Sequence, residues 1–476
     1  MPRRPSAPHM KNSVAVSAVE ELLCGAGTVL DPPIGVAALF SGEPPRLDAL
    51  RDRVAERWGG LPLLRRALLR PARPAWLRPH HWLPLDDFDV RTHVLGAEDE
   101  GEHVIAGTGE GERAFTDLLG RLVAEPVPYG LPPWRLRLVR AGRQGGTAQE
   151  RFALVLTAHH ALMDGRSLEL LMSRLLDGRL LRGGTGTSTG TGRGAGTASD
   201  ARPVRIPRPR RPEGSTPAGQ PPDSGRLFDA LRSGRALPLS AEPPRTRRDL
   251  AWAELDTDAV RAARRALPGL GATLNEVLLA AASGALRAVH GEPEGRAGAS
   301  RPLHGVYSVD LRTPEQADTL GNIVSMVRLP LPVEITDPRE RLAACRASSA
   351  APGPAQGPDT TTRLVCAAAR LGPWALRLLA RRAYSPRWAP VSCTAVRWPR
   401  GPWALDGAPL ERVIPLARVQ IPGAVSLTLT SYANTFTLCV VSHTPEGQAR
   451  LLADAFAREL TSLAGAVGPQ LSAPAR

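Results

Sequence analysis

Residues 183–225 are Gly/Thr-rich and then Pro/Arg-rich, with almost nothing apolar to bury. A segment of that composition cannot offset the entropy lost on ordering its backbone, so the chain on either side must build cores of its own. With 476 residues, 42% of them hydrophobic, there is ample material for both. The expected organisation is a first lobe over residues 1–181, a connector over 182–226 and a second lobe over 227–476.

Both lobes carry the periodicities of an α/β (α+β) fold. In the first, residues 48–58 and 115–123 have helical spacing, and Trp134-Arg-Leu136-Arg-Leu138 alternates as a half-buried strand. Phe152-Ala-Leu-Val-Leu156 is continuously apolar, as a central strand should be, and a helix capped by Ser167 is expected over 167–176. In the second, residues 250–255, 305–309, 326–331, 426–430 and 436–441 read as strands. Helices are expected over 258–266, 273–286 and 448–463, the middle one so apolar that it must be buried on most sides.

The apolar run ends in Ala158-His159-His160-Ala161-Leu162-Met163-Asp164-Gly165, although the chain has only 10 histidines. A buried strand that stops in a turn presents an imidazole, the side chain best suited to take and return a proton near neutral pH. Neighbouring side chains at a strand end point in opposite directions, so only one of His159 and His160 should face a substrate. Gly165 would permit a turn or close approach that a side chain obstructs. A pair of satisfied core histidines beside a helix cap is the plainer alternative. His80-His81 lacks the Asp-Gly and reads as surface loop.

Charge narrows the partners. The net charge is +14, carried almost entirely by arginine, with Lys11 the single lysine. That charge permits attraction to anionic partners such as acyl-CoA phosphates, an acidic carrier protein or an anionic membrane surface. The densest arginine cluster, residues 202–211, has no interleaved aromatics and no nucleic-acid motif, so nucleic acid is not expected as a partner. Five scattered cysteines, Cys24, Cys345, Cys366, Cys393 and Cys439, suit reduced thiols in the cytoplasm and lack metal-ligand spacing. Neither an export signal nor a membrane-spanning helix is legible. Residues 374–388, with Arg377, Arg381, Arg382 and Arg387, read as a basic amphipathic helix for a membrane surface or as an ordinary solvated face.

Together these residues resemble the bacterial wax ester synthase/diacylglycerol acyltransferases of the chloramphenicol acetyltransferase-like superfamily. His159-His160…Asp164-Gly165 is similar to the family's HHxxxDG motif. Asp87-Phe88-Asp89 with His93, Leu131-Pro-Pro-Trp134, Thr273-Leu-Asn275-Glu276-Val277 and Ser308-Val-Asp-Leu-Arg312 each resemble a family segment. So do Leu320-Gly-Asn322, Leu329-Pro-Leu-Pro332 and Ser431-Tyr432, in order, over roughly residues 35–465. The chain departs at Glu276, where Asp is usual, at Ala395 to Pro402, where an N-V-P-G-P turn is usual, and at Ala433-Asn434 in place of Asp-Gly. These departures are expected on the second-lobe side of the channel.

The resemblance implies two lobes, each a mixed sheet flanked by helices, with the active-site channel between them. It implies His160 as general base, His159 as its support and Asp164 as a structural aspartate paired with an arginine, for which Arg312 is the candidate. Asn275, Glu276, Trp134 and Arg312 are the candidates for lining the channel or binding an oxyanion, although Asn275 equally suits a helix cap and Trp134 a packing role. No metal, no cofactor beyond acyl-CoA as co-substrate and no covalent acyl-enzyme is expected. The implied reaction moves a fatty acyl group from acyl-CoA to the hydroxyl of a diacylglycerol or long-chain alcohol, at a membrane or lipid-droplet surface or in the cytoplasm. A specialised-metabolite acyltransferase fed by acyl-CoA or an acyl carrier protein is the alternative. A non-catalytic lipid-binding protein on the same scaffold is the second.

Overall fold

The structure, a computed structural model, describes residues 12–24, 32–71, 74, 76–96, 110–127, 129–140, 150–178, 231–269, 271–291, 301–350, 358–398 and 401–465. The expected connector, 182–226, lies outside the described residues.

In chain order the elements are β1 (Val14–Ala15), α1 (Ala18–Cys24), β2 (Ile34–Ser41), α2 (Leu47–Trp58), β3 (Arg66–Leu69), β4 (His81–Pro84) and β5 (Val94–Gly96). There follow α3 (Glu110–Leu122), β6 (Trp134–Arg140), β7 (Arg151–Ala158) and α4 (Gly165–Leu175). The second half holds β8 (Asp249–Leu255), α5 (Thr257–Arg265), α6 (Leu274–His290), β9 (His304–Asp310), β10 (Val324–Pro330), α7 (Pro338–Ala350), α8 (Pro358–Leu371) and α9 (Pro373–Ala383). It ends with β11 (Val391–Arg397), β12 (Ala404–Leu405), β13 (Ala408–Leu416), β14 (Val425–Tyr432), β15 (Thr435–Ser442) and α10 (Gln448–Gly465).

Two six-stranded sheets form the α/β framework, ordered β12-β13-β2-β7-β6-β5 and β10-β9-β11-β14-β15-β8. Each is mixed: β5 runs parallel to β6 in the first, and β11 runs parallel to β9 and β14 in the second. β7 is flanked by β2 and β6 and covered on both faces, which is why its sequence is an unbroken apolar run. α6 is wedged between the second sheet, α7 and α10, so it buries residues all round and not along one stripe.

The lobes are not divided simply along the chain. β12 and β13 lie within 227–476, yet β13 pairs antiparallel with β2 and extends the first sheet. Local periodicity cannot reveal such a crossing, because a strand's partner is chosen by tertiary contact. α3 packs between the sheets, burying Phe115, Leu118, Leu119 and Leu122 against Val139, Val155, Ile414, Leu250 and Val441. Helices α1, α8 and α9 form a separate roof around Leu22, Val365, Leu376 and Ala380.

His80 corrects the surface-loop expectation. It is buried beside Glu21, which accepts a hydrogen bond from its backbone N–H at 2.8 Å and contacts Nδ1 at 3.1 Å. Glu21 also accepts from Arg377 at 2.7 Å, so one buried carboxylate ties α1 to α9 and to the start of β4. His81 opens β4 and contacts Ser13 at 3.2 Å. The helix after the histidines begins earlier than expected, at Gly165, and its cap is Asp164 instead of Ser167, whose N–H donates to the Asp164 carboxylate at 2.8 Å.

The cores also set thiol chemistry. Cys24, Cys345, Cys393 and Cys439 are buried and Cys366 is exposed. Burial pushes the Cys345 thiol up to about 12 and the Cys393 and Cys439 thiols well above the ordinary range. The thiolate is the reactive form. An aromatic disulfide reagent should therefore titrate one thiol of the native protein rapidly and lose that phase in Cys366→Ser; rapid reaction of several native thiols would contradict the packing.

Candidate functional site

A cavity of about 1070 Å³ lies between the two sheets. That is slightly above the roughly 300–1,000 Å³ usual for small-molecule sites. Its first-lobe wall comprises α1, the start of β2, His160 and the start of α4, and its second-lobe wall comprises β9, β10, β11 and β14. The residues after β13, Ala417 to Ile421, and the roof helices α8 and α9 complete the enclosure.

The strand end does what alternation requires. His160 lines the cavity, whereas His159 is turned into the first lobe, 1% exposed and edge-on to the Tyr129 ring at 6.3 Å. The Ala161 N–H donates to His159 Nδ1 at 3.0 Å, so the neutral His159 ring carries its proton on Nε2. The turn is closed by Leu162 N–H donating to the His159 carbonyl at 2.9 Å. His160 is partly exposed and lines the cavity. Burial and the neighbouring Arg418 guanidinium push its imidazole down from 6.5 to about 4, against smaller opposing contributions from its own carbonyl and Asp164. The ring is thus a free base at neutral pH.

Asp164 turns away from His160's space into a bidentate pair with Arg312, at 2.9 Å and 3.0 Å. Its two oxygens also accept from Ser167 N–H at 2.8 Å and Ile323 N–H at 2.9 Å. Arg312 adds bonds to the Thr319 carbonyl at 3.0 Å, Asp310 at 3.0 Å and Ser167 Oγ at 3.1 Å. Gly321 is central here: its φ of 133° lets its N–H reach Ser167 Oγ at 2.9 Å while its carbonyl accepts from Asp164 N–H at 3.2 Å. Asn322 donates to the His160 carbonyl from the same loop. Residues 320–323 of the second lobe therefore grip the histidine turn of the first.

Other expected residues lie elsewhere. Gly165 is the first residue of α4, its φ is unremarkable, and a Cβ there would meet nothing within 4 Å, so the close-approach reading does not hold. It borders the cavity, whose open space accounts for the absence of neighbours. Trp134 is 1% exposed in the first core, donating Nε1–H to the Leu64 carbonyl at 2.9 Å, and His93 Nδ1 contacts its carbonyl at 2.6 Å. Asn275 and Glu276 sit at the start of α6 and are not among the cavity-lining residues. Thr273 caps that helix, not Asn275; Glu276 closes the capping box and pairs with Arg346 at 3.6 Å. Of the four candidate lining residues, Arg312 alone borders the cavity. The departures divide likewise: Ala395, Val396 and Arg397 line it, whereas Ala433 and Asn434 form the turn between β14 and β15 at φ 45° and 68° and do not.

Two features went unread in the sequence. Arg418 enters the cavity from the segment after β13 and donates twice to the Leu23 carbonyl at 3.0 Å. Its position depends on β13 joining the first sheet, which no local pattern announces. The second is a hydroxyl-bearing wall: Ser308, Ser392, Thr394, Ser426 and Thr428 line the cavity from β9, β11 and β14. They are cross-linked by Ser308 to Thr394 at 3.2 Å and by Ser392 donating to Ser426 at 2.8 Å. Its signal was the alternation Ser392-x-Thr394 and Ser426-x-Thr428, polar where a core face should be apolar.

The field on His160 gives a direct prediction. A cation beside an imidazole disfavours its protonated form, so removing the cation raises the pKa. By NMR the His160 ring should titrate near 4, and Arg418→Met should move that midpoint upward, toward 6.5. A midpoint that stays put or falls in the variant would remove Arg418 from the site's electrostatics.

Comparison with known proteins matches this geometry. Residues 20–278 fit the family model "Wax ester synthase/diacylglycerol acyltransferase catalytic domain", and residues 320–464 fit "WS/DGAT C-terminal domain". The chain is 28% identical over 287 residues to "Probable diacyglycerol O-acyltransferase tgs2" of Mycobacterium tuberculosis (strain ATCC 25618 / H37Rv), covering 56% of this chain. It spans 57% of that relative's length. It is 29% identical over 344 residues to Rv3740c of the same strain, a protein named for the same activity, covering 69% and 73% of the two chains. The solved wax ester synthase/diacylglycerol acyltransferase from Marinobacter aquaeolei VT8 superposes with a TM-score of 0.58 at 18% identity, over 94% of this chain and 98% of that one. The first condensation domain of the CDA synthetase superposes at 0.57 with 16% identity, over 95% of each. The two-lobed fold is thus shared with a solved wax ester synthase/diacylglycerol acyltransferase and a condensation domain, and the chain belongs to the wax ester synthase/diacylglycerol acyltransferase family.

Proposed function

We propose that the protein is an O-acyltransferase that moves a fatty acyl group from acyl-CoA to the hydroxyl of a diacylglycerol or long-chain alcohol. The observation that carries this reading is a free-base imidazole, His160, facing a large, mainly apolar cavity walled by both lobes. A C16 or C18 chain needs such an enclosure, and its ester chemistry needs one proton moved twice.

His160 takes the acceptor's hydroxyl proton as the oxygen attacks the thioester carbonyl, forming the C–O bond and a tetrahedral oxyanion. Collapse breaks the C–S bond, and the imidazolium returns the proton to the departing thiolate, leaving an ester and free CoA. A base of low pKa is fully deprotonated before the attack and a strong acid after it, which favours the second transfer. Hydroxyls of the Ser308, Thr394 and Ser426 wall supply donors for the oxyanion. His159 and Asp164 act by holding the turn. No cofactor and no acyl-enzyme enters the scheme, and the work is placed in the cytoplasm, at a membrane or lipid-droplet surface where both apolar substrates reside.

One observation favours a more polar acceptor, as in a specialised-metabolite acyltransferase using acyl-CoA or a carrier-protein thioester. Arg166, Glu169, Asp310 and Arg312 charge one end of the cavity, and burial pushes the Glu169 carboxyl up to about 7. A carboxyl poised there suits a hydroxylated or amino-bearing acceptor better than a plain alkanol.

Thiol release from palmitoyl-CoA in the presence of hexadecanol, diolein or neither tests the proposal. Acceptor-dependent release should appear in the wild type and fall by about 10²–10⁴-fold in His160→Ala, the usual worth of a general base. Silence with lipid acceptors moves the assignment to a polar acceptor. Ligand binding without release from any thioester would leave a non-catalytic lipid-binding protein.

A further inference from the structure

The roof of the cavity has an outer face that the acyl-transfer chemistry does not use. α1, α8 and α9 pack on one another through Leu22, Val365, Leu376 and Ala380, and their inner residues Val19, Leu22, Val365, Cys366 and Tyr384 border the cavity. On the outside, Trp374 is 42% exposed and Leu378 is 61% exposed, one helical turn apart on α9, with exposed Arg381 following on the same side. Leu371, 64% exposed, ends α8 immediately before them. Trp76 and Leu77 are also exposed, and the carbonyl of the next residue, Arg78, accepts from Arg377 of α9 at 2.7 Å, which sets them beside the same helix. Five of the ten exposed large hydrophobic residues among the described residues thus gather on this face. Isolated exposed leucines need no explanation, but a cluster of this size marks a contact surface.

Charge selects the partner. Residues 361–390 contain six arginines and no Asp or Glu. Arg363, Arg370, Arg381 and Arg387 are exposed, whereas Arg377 and Arg382 are committed to Glu21 and Ser233. Tryptophan and leucine bordered by arginine is the composition that seats a helix in the headgroup region of an anionic bilayer, with the rings among the upper acyl chains and the guanidinium groups on phosphate. No described helix is long and apolar enough to cross a membrane, so a surface-lying helix is the geometry available to this face.

We infer that the outer face of α8 and α9, centred on Trp374 and Leu378, docks the protein on an anionic phospholipid surface, with the roof helices between that surface and the cavity. The inference rests on the acyltransferase reading for its purpose, since apolar acceptors would enter past the roof, but not for its test. The face is stiffly mounted. Glu21, 1% exposed, clamps α1 to α9 through Arg377, and Arg382 donates to Ser233 at 3.0 Å, so lipid contact at Trp374 bears on the helices that border the cavity.

The test is flotation of the full chain with vesicles of phosphatidylcholine alone or enriched in phosphatidylglycerol, at low and high salt. The wild type should float with the anionic vesicles and less so at high salt. The double variant Trp374→Ser/Leu378→Ser should lose at least about tenfold in partitioning, while Leu451→Ser, an exposed leucine on α10, should float as the wild type. Neither serine replaces a cavity-lining residue, so turnover of a dispersed short-chain alcohol should persist in the double variant. A wild type that ignores anionic vesicles, or a double variant that floats unchanged, overturns the inference. His160→Ala should float as the wild type does; a wild type that floats but releases no thiol with any acceptor would count against the acyltransferase reading alone.

Discussion

The pair between Asp164 and Arg312 is the constraint on which the rest of the site depends. Both side chains are nearly inaccessible, at 4% and 3% exposed, so neither charge is supported by water and each needs the other. The carboxylate spends every lone pair on this junction: two bonds from a second-lobe guanidinium, one from the Ser167 N–H in the first turn of α4 and one from the Ile323 N–H. One charged contact therefore caps the helix that follows the histidines, fixes the turn that presents His160 and joins the two lobes at the edge of the cavity.

The remaining architecture keeps that junction in register. β13 leaves the second half of the chain to pair with β2 and returns through Arg418, which brings a cation to His160 and two hydrogen bonds to α1. α3 fills the gap between the sheets from the other side. The cavity is the space left where β9, β11 and β14 present hydroxyls in place of packing residues. Low dielectric and a nearby positive charge then keep His160 neutral, the state in which it can accept a proton.

Much of this was legible residue by residue. The unbroken apolar run of β7 and the all-apolar α6 reported their surroundings, because a strand or helix covered on several sides has no polar face to show. The alternation in β6 located the strand but not its burial, since Arg137 is buried with the leucines. The histidine pair and the aspartate were legible as a strand end and turn, and Arg312 as the aspartate's partner. What was not legible depends on partners remote in sequence. His80 reads as loop until Glu21 is brought beside it; Arg418 reads as one arginine among many until β13 crosses lobes. Glu276 misled for the opposite reason: its polarity serves the local capping box of α6, which a motif cannot distinguish from a polar group aimed at substrate, and Asn275 lies in the same first turn, outside the cavity lining.

The most direct measurement of the central claim is a double-mutant cycle on Asp164→Asn and Arg312→Met, read by denaturant unfolding. Arg312→Met leaves Asp164 buried without a counter-charge and should cost about 3–5 kcal/mol, whereas Asp164→Asn leaves Arg312 the half-exposed Asp310 at 3.0 Å and should cost less. The double variant should cost clearly less than the sum, with a coupling of roughly 1–3 kcal/mol. Strictly additive losses would mean that the two residues act independently, and that the histidine turn is held in place by something other than this pair.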